Sequence, residues 1–310
     1  MASIKELSAR PELMTGGHRL CAGCGAGIMA RQVLLAASKY KIVATSATGC
    51  LEVSTTIFPF TSWKTAFFHS AFENSAATCS GIESAYKAMK RQGRVTEDMR
   101  FIAFGGDGGT YDIGLQSLSG AMERGHRMLY ICYDNQAYMN TGIQRSSASP
   151  RGSHTTTAPS GKASYGKQQF RKDLTEIMVA HHIPYVAQTS IGNWRDLINK
   201  VEKALEADGP SFINIYTPCR LGWGYDPSTT IDLAKLVADT CAWPLYEVVN
   251  GEHKLTYKPK EKKPYTEYLK LQDRFKHLFK PGNEALLQEL QVEVDRRWNR
   301  ILKLCSEQTQ

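Results

Sequence analysis

Short apolar runs alternate with helical patterns along most of this chain. Predicted strands lie at residues 42–45, 101–104, 128–133, 185–187 and 212–216, and predicted helices lie at 26–39, 74–91, 113–124, 172–182 and 193–207. Strands that alternate with helices are typical of βαβ units, which form parallel sheets with helices on both faces. The pattern therefore predicts an α/β fold with a mainly parallel sheet flanked by helices.

Two segments interrupt this alternation. Residues 140–168 are rich in Ser, Thr, Gly and Pro and have no apolar period. A loop of this length inside a compact domain is usually functional or disordered. From about residue 244 the pattern predicts a hairpin at 246–249 and 254–257, followed by helices at 266–279 and 283–304. We therefore expect one α/β domain over residues 1–243 and a C-terminal hairpin and helical extension over 244–310 that contacts other subunits.

Composition and charge narrow the class of protein. The chain has 310 residues, of which 42% are hydrophobic and 22% are charged. Its longest strand-like apolar runs, such as 128–133, are far shorter than the ~18 residues of a membrane span, and no apolar signal core follows Met1, so we expect a cytoplasmic protein. The net charge of +8 is compatible with an acidic partner or a phosphorylated ligand. The basic residues of 254–263 are not interleaved with a series of aromatic residues suited to base stacking, which argues against nucleic acid.

A glycine-rich turn around one aspartate follows the predicted strand at 101–104. Asp107 is flanked by two glycines on each side, and Asn135 follows Gly108 after 26 residues, which is room for one helix and one strand. Both loops would then lie at the carboxyl edge of the sheet, where ligands of α/β folds bind. The carboxylate suits Mg²⁺, and a glycine-rich backbone before a helix can approach a phosphate group closely. A tight turn without a ligand remains the alternative, and neither a dinucleotide fingerprint nor a Walker lysine is present.

The residues of this turn and of the following loop resemble motifs of a known enzyme family. The Gly-Asp-Gly sequence at 106–108, followed after 26 residues by Asn135, resembles the Mg²⁺–diphosphate signature of thiamine-diphosphate enzymes. Residues 106–114 and 138–142 are similar to the β subunit of 2-oxoacid:ferredoxin oxidoreductases, most of all the pyruvate enzyme. The likeness extends from about residue 17 to Cys219. It implies a thiamine-diphosphate-binding fold in which Asp107, Asn135 and the carbonyl group of Ala137 bind Mg²⁺.

The same resemblance implies further cofactor contacts. A second asparagine of the family, close to the thiazolium ring and the substrate, corresponds to Asn140, which is the candidate catalytic residue. The residues implied in cofactor binding are Cys50, Gly106, Asp107, Gly108, Gly109, Asn135 and Asn140.

Four of the eight cysteines lie on loops at the inferred edge of the sheet. Cys21 and Cys24 form a Cys-x-x-Cys pair before the first helix, Cys50 follows the first strand, and Cys219 follows a late strand. Spacing alone leaves a [4Fe–4S] cluster, a zinc site and no metal open. The family resemblance implies that all four bind a [4Fe–4S] cluster. The other cysteines, Cys79, Cys132, Cys241 and Cys305, are expected to be buried thiols outside the cluster.

The resemblance implies a complete reaction. A 2-oxoacid, pyruvate before others, would be decarboxylated oxidatively, its acyl group would go to coenzyme A, and electrons would pass through the cluster to ferredoxin. Oxalate and other 2-oxoacids share this chemistry. The family also uses a glutamate from a pyrimidine-binding domain that this chain lacks. We therefore expect the active site to form with another subunit and the isolated chain to be inactive.

Two other functions remain open from the sequence. A non-redox thiamine-diphosphate lyase would keep Asp107 and Asn135 but would not need four clustered thiolates. A zinc-stabilised subunit without catalysis would use the cysteines and would bind no thiamine diphosphate. Metal analysis and cofactor binding distinguish these functions from the oxidoreductase.

Overall fold

One eight-stranded sheet organises the molecule. The computed structural model describes residues 3–306, so residues 1–2 and 307–310 of the expected ranges lie outside the described part. The strands are β1 (Lys41–Ala47), β2 (Ala66–Ser70), β3 (Met99–Gly106), β4 (Leu129–Asp134), β5 (Tyr185–Ser190), β6 (Ser211–Tyr216), β7 (Tyr246–Val249) and β8 (Glu252–Leu255). Their order is β2-β1-β3-β4-β6-β5-β7-β8. The first six strands are parallel, and the β7–β8 hairpin is antiparallel at one end.

Helices cover both faces of this sheet. The α-helices are α1 (Ile4–Ser8), α2 (Gly25–Ala37), α3 (Cys50–Thr55), α4 (Ser75–Arg91), α5 (Leu115–Glu123), α6 (Leu174–Val179), α7 (Trp194–Glu206), α8 (Arg220–Trp223), α9 (Thr230–Asp239), α10 (Tyr265–Lys270) and α11 (Glu284–Ser306). A π-helical turn occupies Gly108–Ile113, and 3-10 helices occupy Pro227–Thr229 and Asp273–Phe279. Among residues 3–306, no helix is both long and apolar enough to cross a bilayer.

Alternating side chains of the central strands form two apolar cores. Ile102 and Phe104 of β3 pack with α2, α7, α9 and α10 on one face. Phe101 and Ala103 of the same strand pack with α4, α5 and α6 on the other face. Because both faces are covered, the middle of β3 and β4 is continuously apolar instead of alternating with polar residues. The predicted α/β class with a mainly parallel sheet flanked by helices is confirmed.

The helix α9 was not predicted, and three further details differ from the sequence-based prediction. β2 was not predicted; it lies at the sheet edge, and Phe68 on it is 46% exposed. A helix was expected to begin at Ile113, but helical structure already begins at Gly108 with the π-helical turn. The single helix expected at 266–279 is divided into α10 and the 3-10 helix Asp273–Phe279.

The strand order defines where loops converge. The chain passes from β1 outward to β2 and then returns to β3 on the other side of β1, so the direction of winding reverses between β1 and β3. In doubly wound sheets, ligands bind at the carboxyl edge where this reversal occurs. The loops that follow β1, β3 and β4 meet at this edge, and they carry Cys50, Asp107 and Asn135 respectively.

Candidate functional site

Asp107 is a fully buried carboxylate directly after β3. Its Oδ1 accepts a hydrogen bond from the backbone N–H of Asn135 at 3.2 Å, and its Oδ2 accepts from the Ser146 hydroxyl at 2.5 Å. Burial, together with the negative charge of Asp134, raises the pKa of Asp107 well above its usual range. No ion pair is formed by this carboxylate within residues 3–306, so its negative charge lacks a protein cation.

Three oxygen-bearing groups meet at this position: the Asp107 carboxylate, the Asn135 side-chain amide and the Ala137 carbonyl group. The side-chain amide of Asn135 lies 2.8 Å from Asp107 Oδ1 and 2.8 Å from the carbonyl oxygen of Ala137. With its nitrogen toward these atoms, the amide donates to both of them. With its oxygen toward them, three acceptors face one another, and a cation is needed to stabilise them. The donor set of carboxylate, amide and carbonyl oxygen therefore fits a hard divalent ion such as Mg²⁺.

A cavity of about 320 Å³ opens over this corner. Its wall contains the predicted residues Cys50, Gly106, Asp107, Gly108, Gly109, Asn135, Ala137 and Asn140. Phe72, Tyr133, Tyr138 and Met139 supply apolar surface. A Cβ atom at Gly108 would lie 2.5 Å from the ring of Tyr138, so only glycine fits between this ring and the turn. The glycine-rich sequence is thus required for close packing at this edge.

Asn140 and Cys50 face each other across the cavity. The Cys50 thiol donates to Asn140 Oδ1 at 3.7 Å, which is a long contact for a sulfur donor. Asn140 is exposed and has no other side-chain hydrogen bond described for residues 3–306. Its amide is therefore available to a bound molecule in the cavity.

Two further residues support the site and were not predicted. Ser146, from the polar segment 140–168, holds Oδ2 of Asp107. Arg171 forms an ion pair with the neighbouring buried carboxylate, Asp134, at 2.6 Å. Neither residue belongs to a local motif, because each reaches the site from a segment distant in sequence. The polar segment is ordered against the site, and Ser146, Ser149 and Ser153 in it are buried.

The four cysteine loops converge at the same edge of the sheet. The backbone N–H of Gly25, next to Cys24, donates to the carbonyl oxygen of Pro218, next to Cys219, at 3.2 Å. Burial raises the pKa of the Cys50 thiol to about 12, and the charges of Cys219, Cys24 and Cys21 add to this rise. Burial also raises the pKa values of Cys24 and Cys219. The environment of Cys24, Cys50 and Cys219 therefore opposes ionisation of these three thiols without a compensating cation.

The side chains of these four cysteines are not arranged as a set of metal ligands in the structure. Within residues 3–306, no group of three or more His, Cys, Asp or Glu side chains is positioned to hold a metal ion. Convergence of the loops is therefore observed, whereas a closed set of sulfur ligands is not. Of the remaining cysteines, Cys79, Cys132 and Cys241 are buried and Cys305 is partly buried.

A larger cavity of about 970 Å³ shares a wall residue, Trp223, with the surroundings of the candidate site. It is lined by parts of the polar segment, by α8 and by the region around the 3-10 helix Asp273–Phe279, and it contains none of the predicted site residues. Its wall touches the site at Trp223, whose indole N–H donates to the carbonyl oxygen of Asn135 at 2.9 Å. This wall helps to fix the Asn135 loop.

Comparison with protein families identifies one matching model. Residues 47–215 match the thiamine pyrophosphate enzyme, C-terminal TPP binding domain. The matched range includes Cys50, Asp107 and Asn135 and excludes Cys21, Cys24 and Cys219. The candidate cavity therefore lies within the part of the chain that the family model describes.

Curated relatives are similar over nearly the whole chain. Pyruvate synthase subunit PorB of Thermotoga maritima is 52% identical over 94% of this chain and 91% of its own length. PorB of Methanocaldococcus jannaschii is 55% identical over 87% of this chain and 91% of its own length. Ketoisovalerate oxidoreductase subunit VorB of Pyrococcus abyssi is 42% identical over 93% of this chain and 92% of its own length.

A solved structure shares the fold. The 2-oxoglutarate:ferredoxin oxidoreductase from Magnetococcus marinus aligns with a TM-score of 0.55 and 21% identity, covering 72% of this chain and 79% of that chain. At this identity the alignment supports the architecture of the sheet and its helices.

Proposed function

Because this chain belongs to the family of 2-oxoacid:ferredoxin oxidoreductase β subunits that includes PorB, we propose that it carries the thiamine diphosphate site of a pyruvate-oxidising complex. The proposed reaction converts pyruvate and coenzyme A to acetyl-CoA and CO₂, and the two electrons released pass to ferredoxin. The chain is one subunit of an enzyme complex, as its PorB relatives are.

The observation that carries this proposal is the oxygen-lined corner at the base of the cavity. Asp107, Asn135 and the carbonyl group of Ala137 would hold Mg²⁺, which in turn would hold the diphosphate group. The positive ion would remove the cost of a buried, unpaired carboxylate at Asp107. When bound, thiamine diphosphate supplies the nucleophilic carbon and the electron sink for decarboxylation.

Other residues of the cavity orient the reactants and exclude water. Phe72, Tyr138 and Met139 would shield the reacting carbon from solvent, because they form the apolar wall. The free amide of Asn140 would bind the 2-oxoacid or its carbonyl oxygen beside Cys50. Glycines 106, 108 and 109 would let the backbone approach the diphosphate closely.

We further propose that Cys21, Cys24, Cys50 and Cys219 bind a [4Fe–4S] cluster. The support is the convergence of their loops and the raised pKa values of Cys24, Cys50 and Cys219. Iron bound by the four thiols would provide the positive charge that burial of the thiolates requires. A cluster next to the cavity would accept electrons one at a time. Its binding would explain why four cysteines lie at this edge of the sheet.

Replacing Cys50 tests the cluster. We expect Cys50→Ser, in the complex purified without oxygen, to lose most of its iron, acid-labile sulfide and broad visible absorption. Cys79→Ser is the matched control, because Cys79 is fully buried in α4 and should leave the iron content unchanged. Iron and sulfide at wild-type levels in Cys50→Ser, or zinc in place of iron in the wild type, would reject the cluster.

A substrate panel tests the reaction itself. The assembled complex is assayed with coenzyme A and oxidised ferredoxin against pyruvate, ketoisovalerate, 2-oxobutyrate and oxalate. Pyruvate should give the highest kcat/KM, and the isolated chain should reduce no ferredoxin, because a partner subunit must complete the thiamine site. Preference for ketoisovalerate would follow the VorB relative instead. Release of CO₂ without ferredoxin reduction would indicate a non-redox lyase.

A further inference from the structure

Lys167 is a buried cation that no part of the proposed reaction uses. Only 1% of its surface is exposed, and it lies in the polar segment 140–168. Its Nζ donates to the carbonyl oxygens of Ser146 at 3.2 Å, Ser147 at 3.3 Å and Ser149 at 2.7 Å. An ammonium group has three donors and no acceptor, so these three carbonyl groups satisfy it completely. The side chain thereby fixes one turn, residues 146–149.

The turn that Lys167 holds is bonded to both loops of the candidate magnesium site. Ser146 donates to Oδ2 of Asp107 at 2.5 Å. Ser149 donates to the carbonyl oxygen of Gln136 at 2.6 Å and accepts from the Ser146 backbone N–H at 3.0 Å. The turn therefore connects the end of β3 with the loop after β4, and these are the two segments that present the oxygen ligands.

From this connection we propose that Lys167 is a positioning residue for the bound cation: it holds Ser146 against Asp107 and so directs the other carboxylate oxygen toward Asn135 and Ala137. The inference rests on the proposed function, because it assumes that Mg²⁺ and thiamine diphosphate occupy this corner. Lys167 does not touch the ligands itself. Its effect is transmitted through Ser146.

The energetic cost of burying Lys167 supports a specific role. No ion pair joins it to a carboxylate in the described part of the chain. Burial, with the nearby charges of Arg145 and Arg171, lowers its pKa to about 7. A methionine would fill a similar volume without this penalty. Holding three carbonyl groups in one turn is what the ammonium group adds, and an apolar side chain cannot do this.

Lys167→Met in the assembled complex tests the proposal. Calorimetric titration with MgCl₂ in the presence of thiamine diphosphate should give a Kd for Mg²⁺ about 10- to 100-fold weaker than wild type, which is the usual effect of losing a group that orients a metal ligand. At saturating Mg²⁺ and cofactor, kcat should stay near the wild-type value. Lys162→Met is the matched control, because Lys162 is exposed in the same segment and its replacement should not change the Kd.

Ser146→Ala separates positioning from folding. This variant removes the contact with Asp107 and keeps Lys167, so it should weaken Mg²⁺ binding by a similar factor. The double variant should bind no more weakly than the weaker single variant, because both changes interrupt one connection. Wild-type Mg²⁺ affinity in Ser146→Ala, or in a folded Lys167→Met complex, overturns the proposal. If Lys167→Met does not assemble, Ser146→Ala alone decides. Absence of cofactor binding by the wild-type complex would instead reject the proposed function.

Discussion

Two buried aspartates at the ends of neighbouring strands have opposite surroundings. Asp107 follows β3 and Asp134 ends β4, and both are completely buried. Asp134 pairs with Arg171 at 2.6 Å and accepts the hydroxyl of Tyr111 at 2.7 Å. The donors to Asp107 within residues 3–306 are neutral, and they include the Asn135 backbone N–H and the Ser146 hydroxyl. Burial alone therefore does not distinguish a functional carboxylate from a structural one. The presence or absence of a paired cationic side chain does distinguish them.

The pair around Asp134 is a structural network. Arg171 also stacks on Trp243, with its guanidinium carbon 4.5 Å from the ring centroid, and Asn214 donates to the Tyr111 hydroxyl at 2.7 Å. The Gln136 backbone N–H donates to Asp134 Oδ1 at 3.1 Å, so both carboxylate oxygens of Asp134 have partners inside the protein. Asp107, by contrast, forms no ion pair within residues 3–306, so it is available to a cation from solution. The three predictions below test this difference.

Asp134→Asn should produce the largest effect. Neutralising this carboxylate leaves the buried guanidinium of Arg171 without its partner, and we expect the free energy of unfolding to fall by about 3–5 kcal/mol. Urea denaturation followed by fluorescence measures this change. Asp208→Asn is the control, because Asp208 is exposed, and it should change stability by less than about 0.5 kcal/mol. A loss below about 1 kcal/mol in Asp134→Asn would contradict the assignment of a structural ion pair.

Asp107→Asn should mainly reduce cofactor binding. The affinity of the complex for Mg²⁺ with thiamine diphosphate should fall by more than about 100-fold, since removing a direct ligand should cost at least as much as removing a supporting residue. Iron content should stay at the wild-type level, because the cysteines are unchanged. Calorimetry and iron analysis measure the two quantities. Normal Mg²⁺ affinity in this variant would show that Asp107 is not a ligand.

The smallest effect is a pH dependence of stability without metal. Because the pKa of Asp107 is raised on folding, the folded chain binds more protons than the unfolded chain between pH of about 4 and the raised value. Wild type should therefore lose stability relative to Asp107→Asn as pH increases through this interval. At neutral pH with EDTA, the variant should be the more stable protein. Parallel stability curves for the two proteins from pH 5 to 8 would contradict the raised pKa.

The sequence was sufficient to predict a mainly parallel sheet and the alternation of its central strands and helices along the chain. Apolar runs and helical periods predicted five of the parallel strands, because residues buried on both faces leave a continuous apolar signal. β2 escaped prediction since an edge strand with exposed Phe68 and His69 does not need that signal. Its pairing with β1 is a tertiary contact that the local sequence does not encode.

Only those residues of the candidate site whose positions follow from the order of strands and helices could be predicted from the sequence. Asp107 and Asn135 follow parallel neighbouring strands, so their proximity follows from the βαβ pattern. Ser146 and Lys167 act on the site through side-chain contacts from the polar segment 140–168, and Arg171, just beyond it, pairs with the neighbouring Asp134. Their roles depend on how that segment folds onto the sheet, which no short motif records. The ligand assignments themselves stay predictions.

The order of strands also constrains biosynthesis. β6 lies between β4 and β5 in the sheet, although β5 is made before it, so the centre of the sheet stays open until residue 216 has left the ribosome. Non-local parallel pairing of this kind forms late in folding. The loops of Cys21, Cys24, Cys50 and Cys219 can meet only after this step. Loading of the proposed [4Fe–4S] cluster would therefore follow synthesis and closure of the sheet, unlike in proteins whose metal ligands lie in one short contiguous motif.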